Sequence, residues 1–508
     1  MNRNNIRSRH PRLALVPLVV LGAFAADQAS AGPCENLLGL GLPHATVTAA
    51  MPVAASAGVP SYCAVTAHSH PTSDSDIIIG IALPETWNGK YLQLGNGGYA
   101  GEVPSLIAGV TAGYATAGTD DGHQDPNGLD ASWALGHPQK IIDFGYRALK
   151  ETTDTAKAVI ASFYYRRPKL SYFQGCSDGG REALQEAQRY PDDWDGIVVG
   201  APANYWTHLF NGFVYNQQQL TEHPIPVSKL PAIQAEALKQ CDAADGVVDG
   251  VNANPLRCQF EPEKMRCRSG ETDQCLTEPQ LRTLRHIMAG PQDPRDGSTV
   301  FPGYQLNAVA EPSVSPWIFA GNPTLQAGFG DQFYINMVFN DPTWNYMTLN
   351  RTSDVDHADR KMAGILNSTN PDLSALVRHG AKVLHYHGWE DNAISPNNSI
   401  DYFNSVFAVR HSHEPVRKDT YYRMFLVPGM SHCGGGPGAN SFDALGTLAR
   451  WVEDGEAPDR MIATKYVNDD PSQGVKFTRP VCSYPKVAVW SGHGSDADAA
   501  NYKCRRND

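Results

Sequence analysis

This chain lacks the features that most often betray a macromolecular partner. No Lys/Arg-rich run follows its N-terminal segment, no two cysteines stand in C-x-x-C spacing, no apolar run reaches the ~20 residues a bilayer span needs, and no stretch repeats or falls into low complexity. Nucleic acid and anionic membranes call for a concentrated basic surface, whereas 53 acidic residues against 41 basic ones leave a net charge of −12. Without C-x-x-C the cysteines do not read as zinc or thioredoxin-type sites. One local absence bears on substrate: from Asp296 to Asn350 there is no Lys or Arg.

What is present is the composition of a globular protein, 42% hydrophobic and 19% charged. A length of 508 residues exceeds one compact core and predicts either several folded units or one domain with a large insertion. Residues 1–31 predict a secretory signal: Arg3, Arg7, Arg9 and Arg12, an apolar stretch from Leu13 to Ala26, and Ala29-Ser30-Ala31 before Gly32. Ala31-Gly32-Pro33-Cys34 lacks the aliphatic residue expected before a lipidated cysteine. A secreted or periplasmic location makes ten cysteines a disulfide framework. Local spacing proposes Cys34 with Cys63, Cys241 with Cys258, Cys267 with Cys275 and Cys482 with Cys504, leaving Cys176 and Cys433; spacing alone does not prove connectivity.

Short β-type runs at Ile77–Leu83, Lys90–Leu94 and Tyr114–Gly118 open a sheet. A helix is predicted over Ile141–Tyr165, stopped by Arg166-Arg167-Pro168. Strand Leu170–Gln174, a turn, helix Arg181–Tyr190 and strand Ile197–Val199 then form a βαβ unit of a parallel sheet. The pattern resumes with strands Lys382–His387 and Tyr421–Val427. Between Asn204 and about Leu376 lies Pro-, Asn- and Cys-rich sequence with a helix at Glu278–Met288, read as an inserted lid.

Gly175-Cys176-Ser177-Asp178-Gly179 fits G-x-S-x-G and stands between strand and helix, where a sharp turn tolerates only small flanking residues and exposes the serine hydroxyl. A serine needs a base, and the base an orienting acid, in the order Ser, acid, His. His432 follows the last predicted sheet strand and is the candidate base. Asp391 is favoured over its neighbour Glu390 as the acid, because Asn392-Ala393-Ile394-Ser395-Pro396 forms a turn suited to a short carboxylate under the imidazole. Cys176 precedes the serine and Cys433 follows the histidine; a triad brings serine and histidine within ~3 Å, so their neighbours come within bonding range. The amide of Asp178 is one oxyanion donor by position, and Gly95-Asn96-Gly97-Gly98 supplies the other, from Gly98 or Gly97, with Gly98 preferred.

These residues resemble the tannase and feruloyl esterase family, which also contains the terephthalate-monoester hydrolase. The marks are Gly175 to Glu182, His387-Gly388-Trp389-Glu390-Asp391 and Pro428 to Gly438, together with the cysteine pairs. The resemblance implies an α/β-hydrolase fold with a large lid domain inserted between strands 6 and 7: a catalytic domain of residues 32–203 and 377–508, and a lid of 204–376 that sets the substrate. It also implies a structural calcium site in the lid, here Asp242, Asp245 and Asp249 with the carbonyls of Val247 and Val251, a ligand set suited to a hard cation.

The terephthalate-monoester hydrolase grips its substrate's free carboxylate with a lid arginine, but Trp317 to Trp344 contains no Arg or Lys here. Ile394, Trp317 and Phe339 are the expected pocket residues, together with Phe319, Phe329, Phe333, Tyr334 and Trp344. The expectation is a secreted esterase acting on small aromatic esters, feruloyl or galloyl, with the terephthalate monoester as alternative. A peptidase or a non-catalytic binding protein on the same fold is more remote.

Overall fold

A nine-stranded sheet organises the structure, a computed structural model that describes residues 1, 33–258, 260–305, 317–321, 323–409 and 420–506. The strands are β1 (Ala45–Val53), β2 (Tyr62–Ser69), β3 (Ile77–Pro84), β4 (Lys90–Leu94), β5 (Ala115–Thr119), β6 (Leu170–Cys176), β7 (Gly196–Gly200), β8 (Lys382–Gly388) and β9 (Tyr422–Val427). They lie in the order β1-β2-β3-β5-β4-β6-β7-β8-β9. The pairs from β1 to β5 are antiparallel and those from β5 to β9 are parallel. β2 alternates buried and half-buried residues, as a strand covered on one face does. β7 is buried throughout, and Ile197, Val198 and Val199 each contribute roughly 1.5–3 kcal/mol by leaving water. This is the α/β-hydrolase sheet, with β1 as an additional N-terminal edge strand.

The chain leaves the sheet after β7 and re-enters at β8. With β1 set aside as the additional edge strand, these are the sixth and seventh strands of the hydrolase sheet, the place expected for the insertion. It contains helices Trp206–Glu222, Leu230–Cys241, Glu278–Ala289 and Leu325–Gln332. Leu230, Ile233, Leu281, Leu284, Ile287 and Ile318 form a core of its own. Trp206, Phe210 and Phe333 instead share a core with Tyr99, Phe144 and Ile394 from outside the insertion. The insertion is thus fused to the rim of the sheet, directly over the ends of its parallel strands.

One expectation changes in detail. The predicted helix at Ile141–Tyr165 starts at Pro138, passes through a π turn at Asp143–Arg147 and continues as Ala148–Tyr164. Beyond the main sheet, β10 (Arg460–Tyr466) pairs with β11 (Val475–Cys482), and β12 (Lys486–Trp490) with β13 (Tyr502–Arg506). The ten cysteines form five disulfides in the pairs proposed from spacing. The predicted signal segment, apart from Met1, lies outside the described residues.

Candidate active site

Ser177 stands between β6 and the helix Asp178–Arg189, with φ 67° and ψ −119°. A non-glycine residue held there carries backbone strain on the order of 1–3 kcal/mol, so the surroundings must enforce it. They do so by close approach: a Cβ on Gly175 would strike the backbone of Gly179, and one on Gly179 would meet Asn96 O at 2.7 Å. The Ser177 amide donates to Gly200 O at 3.1 Å, and Ser177 O accepts from the Ala203 amide at 3.0 Å.

His432 Nε2 lies 2.9 Å from Ser177 Oγ, and its Nδ1 lies 2.7 Å from Asp391 Oδ2. Asp391 Oδ1 accepts the amides of Ala393 and Ile394, each at 2.9 Å, which is the turn that favoured Asp391 over Glu390. His387 Nε2 also reaches Asp391 Oδ2, at 3.1 Å. Burial alone would raise the Asp391 carboxyl, but the charge of His432 and hydrogen bonds from His387 and His432 hold it well below the usual carboxylate range. Asp391 is therefore an ionised acceptor that fixes Nδ1–H on His432 and leaves Nε2 free to take a proton from the serine. Cys176 and Cys433 are bonded, with Cα atoms 6.0 Å apart.

The two amides expected to face an oxyanion stand ready. Neither the Gly98 nor the Asp178 amide makes a hydrogen bond among the described residues, whereas the Gly97 amide donates to Asn96 Oδ1 at 3.2 Å. Of the two, the Gly98 amide is the one left without a partner among the described residues. Behind the Asp178 amide, Arg181 grips the Asp178 carboxylate with Nε and Nη2 at 2.5 and 3.2 Å. Its guanidinium donates to Phe144 O and Gly145 O, carbonyls of the π turn, and lies over the rings of Phe144 and Trp206. Arg181 meets three buried carboxyls, Asp121, Asp178 and Glu182, with one positive charge. Burial, then the charges of Glu182 and Asp178, raise Asp121 well above the usual carboxylate range; burial and Asp178 push Glu182 up to about 7. Glu182 Oε2 accepts the Asn96 amide at 2.8 Å and so anchors the loop that carries Gly98.

A cavity of about 370 Å³ opens onto Ser177 and His432. Trp206, Leu209, Phe210, Phe213, Trp317, Phe329 and Ile394 form its apolar walls. No Lys or Arg lines it among the described residues. Trp317 stacks parallel to Phe329 and meets the His432 ring edge-on. Ile394 and Trp317 thus stand where the sequence reading put them. Phe339 does not: it ends the π-helical segment Phe333–Phe339 and stacks on Tyr334, Trp344 and His357, away from the cavity. Of the further aromatics proposed, Phe329 lines the cavity, whereas Phe319, Phe333, Tyr334 and Trp344 do not. The helix Trp206–Glu222 supplies the aromatic wall that the sequence reading missed. Its clustered Trp206, Phe210 and Phe213 at three-to-four-residue spacing were the available signal.

The acidic loop of the insertion is built from side chains bonded to its own backbone. Asp242 accepts the amides of Asp249 and Gly250, Asp245 that of Val247, and Asp249 that of Val251. Burial, offset in part by the Val247 amide, together with the charges of Asp249 and Asp242 raises Asp245 to about 6. Arg479 pairs with Asp249 at 2.7 Å, one cation against three carboxylates. The three carboxylates do not all lie within 4.8 Å of one another. An all-oxygen donor set with uncompensated charge has the chemistry a hard divalent ion takes.

Residues 63–505 match the family described as tannase and feruloyl esterase. An uncharacterized esterase of Xanthomonas campestris is 40% identical, the alignment covering 97% of this chain and 94% of that one. A probable feruloyl esterase of Arthroderma benhamiae is 34% identical over 86% of this chain and 84% of its own. The crystal structure of feruloyl esterase B from Aspergillus oryzae superimposes with a TM-score of 0.84 at 28% identity, covering 94% of this chain and all of that one. Tannin acyl hydrolase from Aspergillus niger shares the fold, with a TM-score of 0.76 at 24% identity. With its nucleophile turn, its His–Cys loop and the match over most of its length, the chain belongs to the tannase and feruloyl esterase family.

Proposed function

We propose that this protein is an exported serine carboxylesterase that hydrolyses esters of hydroxylated aromatic acids, of the feruloyl or galloyl type, through an acyl-enzyme on Ser177. One observation carries the reading: a Ser177–His432–Asp391 hydrogen-bond chain opens into an aromatic cavity that has no cationic side chain among the described residues. A planar aromatic acyl group fits between such walls, and the lack of Lys or Arg disfavours a substrate with a second, ionised carboxylate.

His432 takes the Ser177 proton as Oγ attacks the ester carbonyl, and Asp391 stabilises the resulting imidazolium. The oxyanion forms against the amides of Gly98 and Asp178. His432 then returns its proton to the leaving alcohol, and water releases the acid by the same route. The Asp242–Val251 loop is proposed to hold a structural calcium ion, since a triad mechanism has no step for a metal. Five disulfides and the N-terminal signal pattern support export.

The test compares kcat/KM for methyl ferulate, methyl gallate and mono-hydroxyethyl terephthalate, with Ser177→Ala as the inactive control. Ferulate or gallate should be preferred. A clear preference for the terephthalate monoester would overturn the neutral-acyl reading, and activity in Ser177→Ala would remove the nucleophile assignment.

A further inference from the structure

We propose that His387 is a positioning residue: Ser399 fixes it in the Nε2–H tautomer, and it acts as a second imidazole donor that holds Asp391 in the orientation from which it serves His432. The inference rests on the reading of Asp391 as the triad acid. His385 and His387 alternate along β8, so both rings point to one side, toward the helix Pro396–Ala408 that carries Ser399. All three side chains are fully buried, and Tyr422 of β9 nearly so.

The distances allow one proton assignment for neutral rings. His387 Nε2 lies 3.1 Å from Asp391 Oδ2 and 3.0 Å from Ile394 O. The carbonyl carries no proton, nor does the ionised carboxylate, so Nε2 must. His387 Nδ1, 2.7 Å from Ser399 Oγ, is then an acceptor and takes the hydroxyl proton. Ser399 Oγ in turn accepts from His385 Nε2 at 2.9 Å, and His385 Nδ1 accepts from the Tyr422 hydroxyl at 2.8 Å. Every bond in Tyr422–His385–Ser399–His387 donates in the same direction and ends on Asp391. Burial holds His385 far below the ordinary histidine range, in keeping with a ring that accepts one of its bonds and donates the other.

The consequence is mechanical as well as electrostatic. Asp391 Oδ1 is pinned by two amides and Oδ2 by two imidazoles, so the carboxylate cannot rotate away from His432 Nδ1. The titratable groups facing Asp391 are His432, His387 and Tyr304; those facing His387 are Asp391 and His385. Removing the His387 donor leaves more charge on Asp391 for His432, so the imidazolium is favoured and the acid limb of the rate profile moves to higher pH.

The experiment measures kcat, KM and the pH profile of kcat/KM on a neutral aromatic ester for His387→Leu, His387→Gln, Ser399→Ala and Asp391→Asn, with folding checked by circular dichroism. His387→Leu should lower kcat about 10- to 100-fold at unchanged KM and raise the acid limb by about half a pH unit. His387→Gln, whose amide can still donate to Asp391, should recover most of kcat. Wild-type kcat and acid limb in His387→Leu, or equal losses in the Leu and Gln variants, would overturn the proposal. If His387→Leu does not fold, Ser399→Ala decides: it should lower kcat and shift the limb, and unchanged values in it would overturn the proposal. Activity retained in Asp391→Asn would instead refute the acid assignment beneath it, a result separable from the others.

Discussion

His432 Nε2 lies 2.9 Å from Ser177 Oγ across 255 residues of chain, and the bond that ties them is set one residue to the outside of each, between Cys176 and Cys433. The disulfide forms part of the cavity wall itself. Replacing both cysteines by alanine should lower stability by roughly 2–4 kcal/mol, as for other long-loop disulfides. It should also lower kcat by about tenfold or more, because the reacting atoms lose their fixed separation. Thermal unfolding and steady-state kinetics on the double variant check both; wild-type kcat would show that packing alone aligns the pair.

Gly97 and Gly98 should respond in opposite ways to a methyl group. Gly98 has φ +60°, and a Cβ there would collide with Gly128 O, whereas a Cβ on Gly97 meets nothing within 4 Å. Gly98→Ala should displace the loop and cost on the order of 10²–10³ in kcat, the usual effect of losing one oxyanion donor. Gly97→Ala should stay within about threefold of wild type. Equal effects would argue against Gly98 as the donor.

Stability should fall as pH rises from about 5 to 8. Burial raises Asp120 and Glu182 to about 7 and Glu186 to about 8, so the folded state retains protons that the unfolded chain loses near pH 4. Their stabilising contribution is complete below pH 4 and is lost as pH climbs through those values. Asp391 acts in the opposite sense: its depressed carboxyl stabilises above pH 4 and fails only in strong acid. Thermal scans at constant ionic strength should therefore show a higher Tm at pH 5.5 than at pH 8. Glu186→Gln preserves an acceptor for Trp194 Nε1 and should flatten the slope between pH 6 and 8.

Chelation should lower Tm by several degrees and added calcium restore it, if the Asp242–Val251 loop holds the ion. Asp245→Asn should remove that response while leaving kcat of the folded enzyme unchanged, since the loop lies outside the cavity lining. Calcium-independent Tm in the chelated wild-type protein would discard the site.

Much of the site was legible because its parts are local. The strand–Ser177–helix turn, the His432-Cys433 pair and the Asp391 turn each occupy a handful of consecutive residues whose types answer a local steric or hydrogen-bonding demand. Strand β4 matched its predicted bounds, and the five cysteine pairs matched their spacing. Less legible were the partners of Gln185 and Gln188 on the helix Asp178–Arg189. In the structure both amides donate to backbone carbonyls of the insertion, at Ile365, Asn367 and Ser368, with Gln185 buried and Gln188 half-buried.

The sequence by itself picked out the residues that the structure brings together, because a nucleophile turn, an acid turn and a cysteine beside each of two candidate residues are statements about neighbours in the chain. Only the tertiary structure decided what surrounds them. It turned Phe339 away from the cavity and Trp206, Phe210 and Phe213 into it, buried Arg181 among three carboxyls, and aligned His385, Ser399 and His387 behind Asp391. Each of these depends on which faces of distant segments meet, and the direction of a helix face or a buried proton is fixed only when its partner is in place.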